Sequence, residues 1–158
     1  MRVGIGYDIH RFEDGRPLFL GGVEIPSKKG LAGHSDADVM IHAVCDALLG
    51  AIGAGDIGEH FPDDDAAYKD ISSLKLLSRV SAIVLEKGFS VENVDVVLVA
   101  EEPHISPFKS KMRENISKHL GIDPDKVNIK ATTNEGIGSL GRAEGISANA
   151  VAMVKEME

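Results

Sequence analysis

The chain has no tryptophan and a single cysteine, Cys45, so it can form no internal disulfide. Aromatics are scarce, five Phe and two Tyr among 158 residues, which leaves little for a base-stacking surface or a sugar-binding platform. Basic residues are outnumbered: 17 Lys plus Arg against 25 Asp plus Glu give a net charge of −8. No global positive field exists to hold nucleic acid or an anionic membrane, and an anionic ligand needs a local cation. No apolar run approaches the roughly 18 residues of a spanning helix. The first residues, Met1-Arg2-Val3-Gly4-Ile5, enter a strand pattern at once, without the basic and apolar regions of a targeting segment. The expectation is a cytoplasmic protein with no nucleic-acid or membrane partner.

What is present is an ordinary globular balance, 43% hydrophobic and 27% charged, over a length that suits one domain spanning residues 1–158. Arg2 to Phe12 reads as a strand, and Pro17 to Pro26 as two short strands around Gly21-Gly22. The period then changes: Ser35 or Asp36 caps a helix with Met40, Ile41, Val44, Leu48 and Leu49 on its apolar face, ended by Gly50 and Gly53. Gly55 to Tyr68, acidic and interrupted by Gly and Pro, reads as a long loop without regular structure. Ile71 to Lys87 gives a second helix, Val91 to Ala100 an almost continuously apolar central strand, and Ser106-Pro107 the start of a third helix running to Leu120. Val127 to Ala131 and Ile146 to Val154 are the last strands, separated by a glycine-rich passage from Gly136 to Gly145. This order predicts an α/β (α+β) fold, a mixed sheet of about four main strands with helices on one face, plus a small hairpin. The other sheet face is left to be covered by self-association.

Three groups of residues carry chemistry. In Gly6-Tyr7-Asp8-Ile9-His10 the two-residue strand repeat places Asp8 and His10 side by side, an arrangement that suits a metal or a solvated polar face. Gly33-His34-Ser35-Asp36-Ala37-Asp38 leads into a helix bearing His42, which lies off the apolar stripe with Asp38 and Asp46 four residues to either side. A carboxylate near its second ring nitrogen is expected if it is a ligand, and the alternative is a capped surface helix with an idle histidine. Asp8, His10 and His42 together would make a three-ligand nitrogen and oxygen site suited to Zn2+, with its fourth position open. Ala131-Thr132-Thr133-Asn134-Glu135-Gly136-Ile137-Gly138 runs from a strand into hydroxyls, an acid and glycines. It suits a phosphate cradle as well as an ordinary strand end, and Glu135 is a hard oxygen ligand for Mg2+ or Mn2+. Cys45, beside the apolar helix face, reads as a small buried residue.

Six blocks occur in one order: Gly6 to His10, Ala32 to Asp38, Gly55-Asp56-Ile57-Gly58-Glu59-His60-Phe61-Pro62-Asp63, Asn93 to Val96, Lys130 to Glu135, and Gly141-Arg142-Ala143-Glu144-Gly145-Ile146. In this the chain resembles the 2-C-methyl-D-erythritol 2,4-cyclodiphosphate synthase family (IspF) from its first strand to its last. The resemblance implies a homotrimer with active sites between subunits. It also implies a reaction of the non-mevalonate isoprenoid pathway, in which the 2-phosphate of 4-diphosphocytidyl-2-C-methyl-D-erythritol 2-phosphate attacks its own β-phosphate, forming the cyclic diphosphate and releasing CMP.

By position, the resemblance places the zinc ligands at Asp8, His10 and His42 and a ligand of a second divalent ion at Glu135. It places the transition-state-stabilising residues at His34 and Thr133, with Ser35 and Thr132 beside them at the phosphates. The erythritol segment falls on Asp56, Ile57, Gly58, Phe61, Pro62, Asp63, Asp64 and Asp65. The cytidine pocket falls on Ala100, Glu101, Glu102, Pro103, His104, Ile105 and Ser106 with Ala131, Thr132 and Thr133, and Asn134 adjoins it. Ser139 and Arg142 fall near the trimer axis, where some members hold an isoprenoid diphosphate. The chain departs from the pattern in having His104 for a frequent Lys, and Ser139-Leu140 where relatives carry a phenylalanine near that axis. Two other readings of the same ligands are a zinc-dependent phosphohydrolase and a non-catalytic, zinc-stabilised trimeric module.

Overall fold

A computed structural model describes residues 1–158. Seven strands form: β1 (Arg2–Asp14), β2 (Leu18–Leu20), β3 (Val23–Ile25), β4 (Lys29–Leu31), β5 (Phe89–Val99), β6 (Val127–Thr132) and β7 (Gly145–Glu156). The helices are α1 (Val39–Ile52), α2 (Ile57–His60), α3 (Ser73–Glu86), α4 (Lys109–Leu120) and α5 (Gly138–Gly141). The main sheet has five strands in the order β4-β1-β7-β5-β6, with β5 and β6 parallel and every other neighbour antiparallel. The parallel pair needs a crossover, which α4 provides. The sheet thus has one strand more than the sequence suggests, because β4 is three residues with a glycine at its centre and carries no readable alternation. β7, rather than β5, is its middle strand, and β5 is flanked by β7 and β6.

The hairpin of β2 and β3 turns on Gly21 and Gly22, both at positive φ (58° and 71°), as a two-residue turn matched to strand twist requires. Its amides at Gly21 and Gly22 both donate to the buried carboxylate of Asp38, at 3.0 and 2.6 Å. Asp38 also accepts from Ile41 N–H, so it is the true N-cap of α1. The helix therefore starts later than a cap at Ser35 or Asp36 would give, and it continues through Gly50 to a left-handed cap at Gly53. Burial, and after it the neighbouring Asp36, push the Asp38 carboxyl up to about 6 against the pull of the three amides.

Helix α1 is buried on nearly every side, packed between β1 and β7 below and α3 above. It lies unusually close to β1, because Gly4 and Gly6 face the backbone at Ala43, Ala47 and Ala51 with no side chain between. Even-numbered residues of β1 face the helices, so Asp8 and His10 continue the Gly4-Gly6 row toward the start of α1. Odd-numbered residues face away. Val3, Ile5, Tyr7 and Ile9, with Val151 of β7, leave this second sheet face apolar and exposed.

The acidic stretch from Gly55 to Tyr68 is more ordered than its composition predicts. Asp56 caps α2 by accepting from Glu59 N–H, and Asp65 caps a 3-10 turn at Ala66–Tyr68 by accepting from Ala67 N–H. The glycine-rich passage likewise contains α5, and α3 begins at Ser73 rather than Ile71. Residues Ser106–Phe108 form a 3-10 turn, with Pro107 early in it, that leads directly into α4. No helix is long and apolar enough to cross a membrane.

Candidate active site

The close seating of α1 on β1 brings three predicted ligands together. Asp8 Oδ2 lies 2.9 Å from His10 Nε2 and 3.0 Å from His42 Nδ1, and the two ring nitrogens are 3.3 Å apart. Four-coordinate zinc with bonds of about 2.0–2.1 Å holds its ligand atoms about 3.3 Å apart, so the triangle is close to the size an ion needs. The chemistry of the rings agrees. His10 Nδ1 donates to the Ala32 carbonyl at 2.7 Å, which leaves the lone pair on Nε2. His42 Nε2 meets Ser73 Oγ at 2.9 Å and Ser35 Oγ at 3.2 Å. The Ser73 hydroxyl donates to Asp36, so its oxygen accepts from His42, and the His42 lone pair also points inward at Nδ1.

The carboxylate expected near the second nitrogen of His42 is therefore Asp36, reached through Ser73. Asp38 and Asp46, the sequence candidates, are engaged elsewhere: Asp38 caps α1, and Asp46 accepts from Ile57 N–H at 2.7 Å. Helical spacing counts only neighbours on the same helix, whereas Ser73 comes from α3 and Asp36 from the preceding loop.

Two inward lone pairs beside a carboxylate concentrate negative potential. Burial would raise the Asp8 pKa, but hydrogen bonds from His10 and His42, which form when a proton rather than a cation sits on the inward nitrogens, outweigh it and hold the carboxyl well below its usual range. Burial likewise opposes charge on His10, yet Asp8 raises its pKa above the ordinary value. A cation at the triad would satisfy all three ligands at once, and the donor set fits zinc.

A cavity of about 190 Å³ opens at the triad. His34, Ser35, Ile57, Gly58, Phe61 and Asp63, named by the resemblance, line it together with Asp46, named beside His42, and with Gly33, Tyr68 and Leu76, for which the sequence suggests no role. Asp46 was legible as one helical turn beyond His42; Tyr68 and Leu76 carry no local signal. Burial pushes the Asp46 carboxyl up, the Ile57 amide opposing it. His34 Nε2 donates to the Asp65 carbonyl at 3.1 Å, and the Arg16 guanidinium grips the carbonyls of Gly33 and Ser35 at 2.8 and 2.7 Å, fixing the loop on both sides of His34. Pro62, Asp64 and Asp65 belong to this loop but do not line the cavity, and neither does Asp56, whose Oδ1 is occupied by the α2 cap.

The remaining candidates gather elsewhere, at the C-terminal ends of the parallel strands β5 and β6. Glu101 Oε1 accepts from Asn134 N–H at 2.9 Å, tying Ala100–Ser106 to Ala131–Glu135. Glu135 sits at φ 52° between Thr133, whose hydroxyl lies 3.5 Å from its carboxylate, and Gly136, also at positive φ. Such a backbone is costly for a residue with a Cβ and is typical of functional loops. Glu101, Glu102, Pro103 and His104 line a separate hollow of about 690 Å³ with Lys28 and Lys29. Ser139, Leu140 and Arg142 line another of about 610 Å³, in which Arg142 pairs with Glu144 at 2.6 Å. None of Ala100–Ser106 or Ala131–Glu135 lines the triad cavity.

A family model described as the YgbB family matches residues 1–155. The chain belongs to the YgbB family. Among its relatives, the 2-C-methyl-D-erythritol 2,4-cyclodiphosphate synthase of Syntrophomonas wolfei is 56% identical over 156 residues, 99% of each chain. The bifunctional IspDF from Campylobacter jejuni superposes with a TM-score of 0.95 at 41% identity, covering 99% of this chain and 42% of that one. The IspF of Plasmodium falciparum in complex with CDP matches at TM-score 0.86 and 32% identity, covering 99% and 97%. As a member of this family the chain is an enzyme.

Proposed function

We propose that the chain converts 4-diphosphocytidyl-2-C-methyl-D-erythritol 2-phosphate to 2-C-methyl-D-erythritol 2,4-cyclodiphosphate and CMP. It does so as a single synthase domain over residues 1–158, in the non-mevalonate route to isoprenoids. So highly charged a substrate stays where it is made, which suits a cytoplasmic enzyme. The observation that carries the reading is the convergence of Asp8, His10 and His42, lone pairs inward, in a chain whose relatives bear that enzyme's name.

Asp8, His10 and His42 hold Zn2+, and Glu135 with the substrate phosphates holds Mg2+ or Mn2+; bound there, the ions supply the positive charge that diphosphate oxygens need in a protein of net charge −8. An oxygen of the 2-phosphate forms a bond to the β-phosphorus. The bond from that phosphorus to the bridging oxygen breaks, and its electron pair leaves with CMP. The nucleophile is already a phosphate oxygen, so no general base is required, and catalysis rests on alignment and on stabilising equatorial charge. His34 and Thr133 stabilise that charge, with Ser35 and Thr132 beside them. Asp56 to Gly58 and Phe61 to Asp65 hold the erythritol hydroxyls. Ala100 to Ser106 with Ala131 to Thr133, and Asn134 beside them, receive the cytidine; that a cytidine ligand is bound at all is supported by related structures in complex with CDP.

These two groups do not share a cavity within one chain, which supports a site assembled between subunits of a homotrimer. The exposed apolar row of Val3, Ile5, Tyr7 and Ile9 is the surface that such packing would bury. An isoprenoid diphosphate on the trimer axis would meet Ser139 and Arg142, the latter after exchange of its Glu144 partner.

Phosphorus NMR of the protein with this substrate and Mg2+, with and without a strong chelator, tests the reading. Chelator-sensitive appearance of CMP and cyclic diphosphate signals is expected; inorganic phosphate in their place would make the enzyme a hydrolase.

A further inference from the structure

We propose that Asp36 and Ser73 are positioning residues for the metal site, holding the His42 ring with its proton on Nε2 and its lone pair on Nδ1. The inference rests on the zinc reading of the triad. Its ground is the direction of a hydrogen-bond chain that runs from α1 to α3 and back to the loop before α1.

His42 Nε2 faces two hydroxyls that are not equivalent. Ser35 Oγ, at 3.2 Å, accepts from Ala37 N–H, and its hydroxyl can meet the ring nitrogen as donor or as acceptor. Ser73 is fully buried, and its hydroxyl is committed to Asp36 Oδ1 in a very short contact. The Asp36 carboxylate also receives the backbone N–H of Asp38 at 3.1 Å and that of Ser73 at 2.9 Å. A carboxylate only accepts, so Ser73 must donate to it and can offer His42 nothing but lone pairs. The sequence of donors is therefore His42 to Ser73 to Asp36. Reversing it would point Nδ1–H at Asp8 and leave no lone pair for a cation.

The chain is anchored by backbone at both ends. Ser73 is the first residue of α3, and its flanking residue Ser72 makes no capping bond, so Asp36 caps that helix from another part of the chain. Asp36 N–H in turn donates to the Ile71 carbonyl at 3.1 Å. One carboxylate thus fixes the helix terminus and the hydroxyl that orients the ligand, the arrangement in which outer partners of a metal-binding histidine set its tautomer.

The test uses histidine labelled with nitrogen-15 in metal-free protein, at a pH above the range in which the imidazoles protonate. Two-bond proton–nitrogen correlations should show His42 in the Nε2–H form in the wild type. Ser73→Ala and Asp36→Asn should mix the tautomers and lower zinc affinity about 10–100-fold in competition with a chromogenic chelator, with folding checked by thermal melting. The wild-type spectrum needs no variant: His42 in the Nδ1–H form overturns the inference directly. Unchanged tautomer and affinity in Ser73→Ala, beside tight zinc binding by the wild type, overturns it while leaving the zinc reading intact. A wild type that takes up no zinc overturns both.

Discussion

Gly6 of β1 lies directly against the carbonyl oxygen of Ala43 in α1, with no room for a methyl group between them. The contact is one residue from His42 and two from Asp8, so the helix-to-strand distance that it sets is also the distance across the metal triangle. Gly6→Ala should push α1 outward, destabilise the fold by about 1–3 kcal/mol through overpacking, and lower zinc content out of proportion to that loss. Denaturant unfolding and metal analysis on one preparation check this; a variant with full zinc and wild-type stability would mean that α1 has slack at this point.

Removing a ligand should separate the two proposed ions. His42→Ala is expected to lose zinc affinity by more than the roughly 10–100-fold cost of an outer partner, and to lose turnover while its assembly stays as in the wild type. Glu135→Gln keeps the size of the side chain but not its charge. It should leave zinc in place and raise the Mg2+ or Mn2+ concentration needed for half-maximal turnover. Equal metal dependence of Glu135→Gln and wild type in a titration would remove Glu135 from the second site.

The cluster of Asp8, His10 and His42 was legible because each sits in a short local pattern: Asp8 and His10 at strand spacing, His42 off the apolar stripe of its helix. The supports were not, for a physical reason. Asp36, Ser73 and Arg16 act across 37, 31 and 17 to 19 residues of sequence, and their hydrogen bonds exist only once α3 and β1 are packed. The same holds for the fold. Long amphipathic segments announced α1 and α3 and a long apolar run announced β5, whereas β4, α2 and α5, of three or four residues each, are held by neighbours and by caps such as Asp56 rather than by their own periodicity. The six ordered blocks pointed to the family, and the family match bears that out.

The triad makes the metal-free protein sensitive to pH in a definite direction. The Asp8 pKa is depressed, so its contribution is present above the unfolded value of about 4 and is lost only in strong acid. The His10 pKa is raised, so its contribution is complete below the unfolded value of about 6.5 and disappears as pH rises through the folded value. Metal-free protein should therefore melt at a lower temperature as the pH is raised through the histidine range. Zinc competes with protons for the same nitrogens, so zinc-loaded protein should gain on the metal-free form over that interval. Paired thermal melts across the range measure the gap; a gap that narrows as pH rises contradicts the assignment.

Ile5 is 74% exposed at the middle of the β1 row that faces away from the helices, with Val3 and Tyr7 on either side and Val151 opposite it on β7. Such a contiguous apolar strip calls for a partner surface, and in the proposed homotrimer that partner is another copy of the chain, which would complete the site. A charge at this position leaves the folded monomer largely untouched, because the side chain makes no part of the core, but it cannot be buried unpaired between subunits. Ile5→Glu should therefore run as a monomer in light scattering while wild type runs as a trimer. It should keep zinc at Asp8, His10 and His42, all of which come from one chain, and yet show almost no cyclising turnover. A monomeric variant with full activity would place the whole reaction within one subunit and would sink the shared-site reading, whatever the oligomeric state of the wild type.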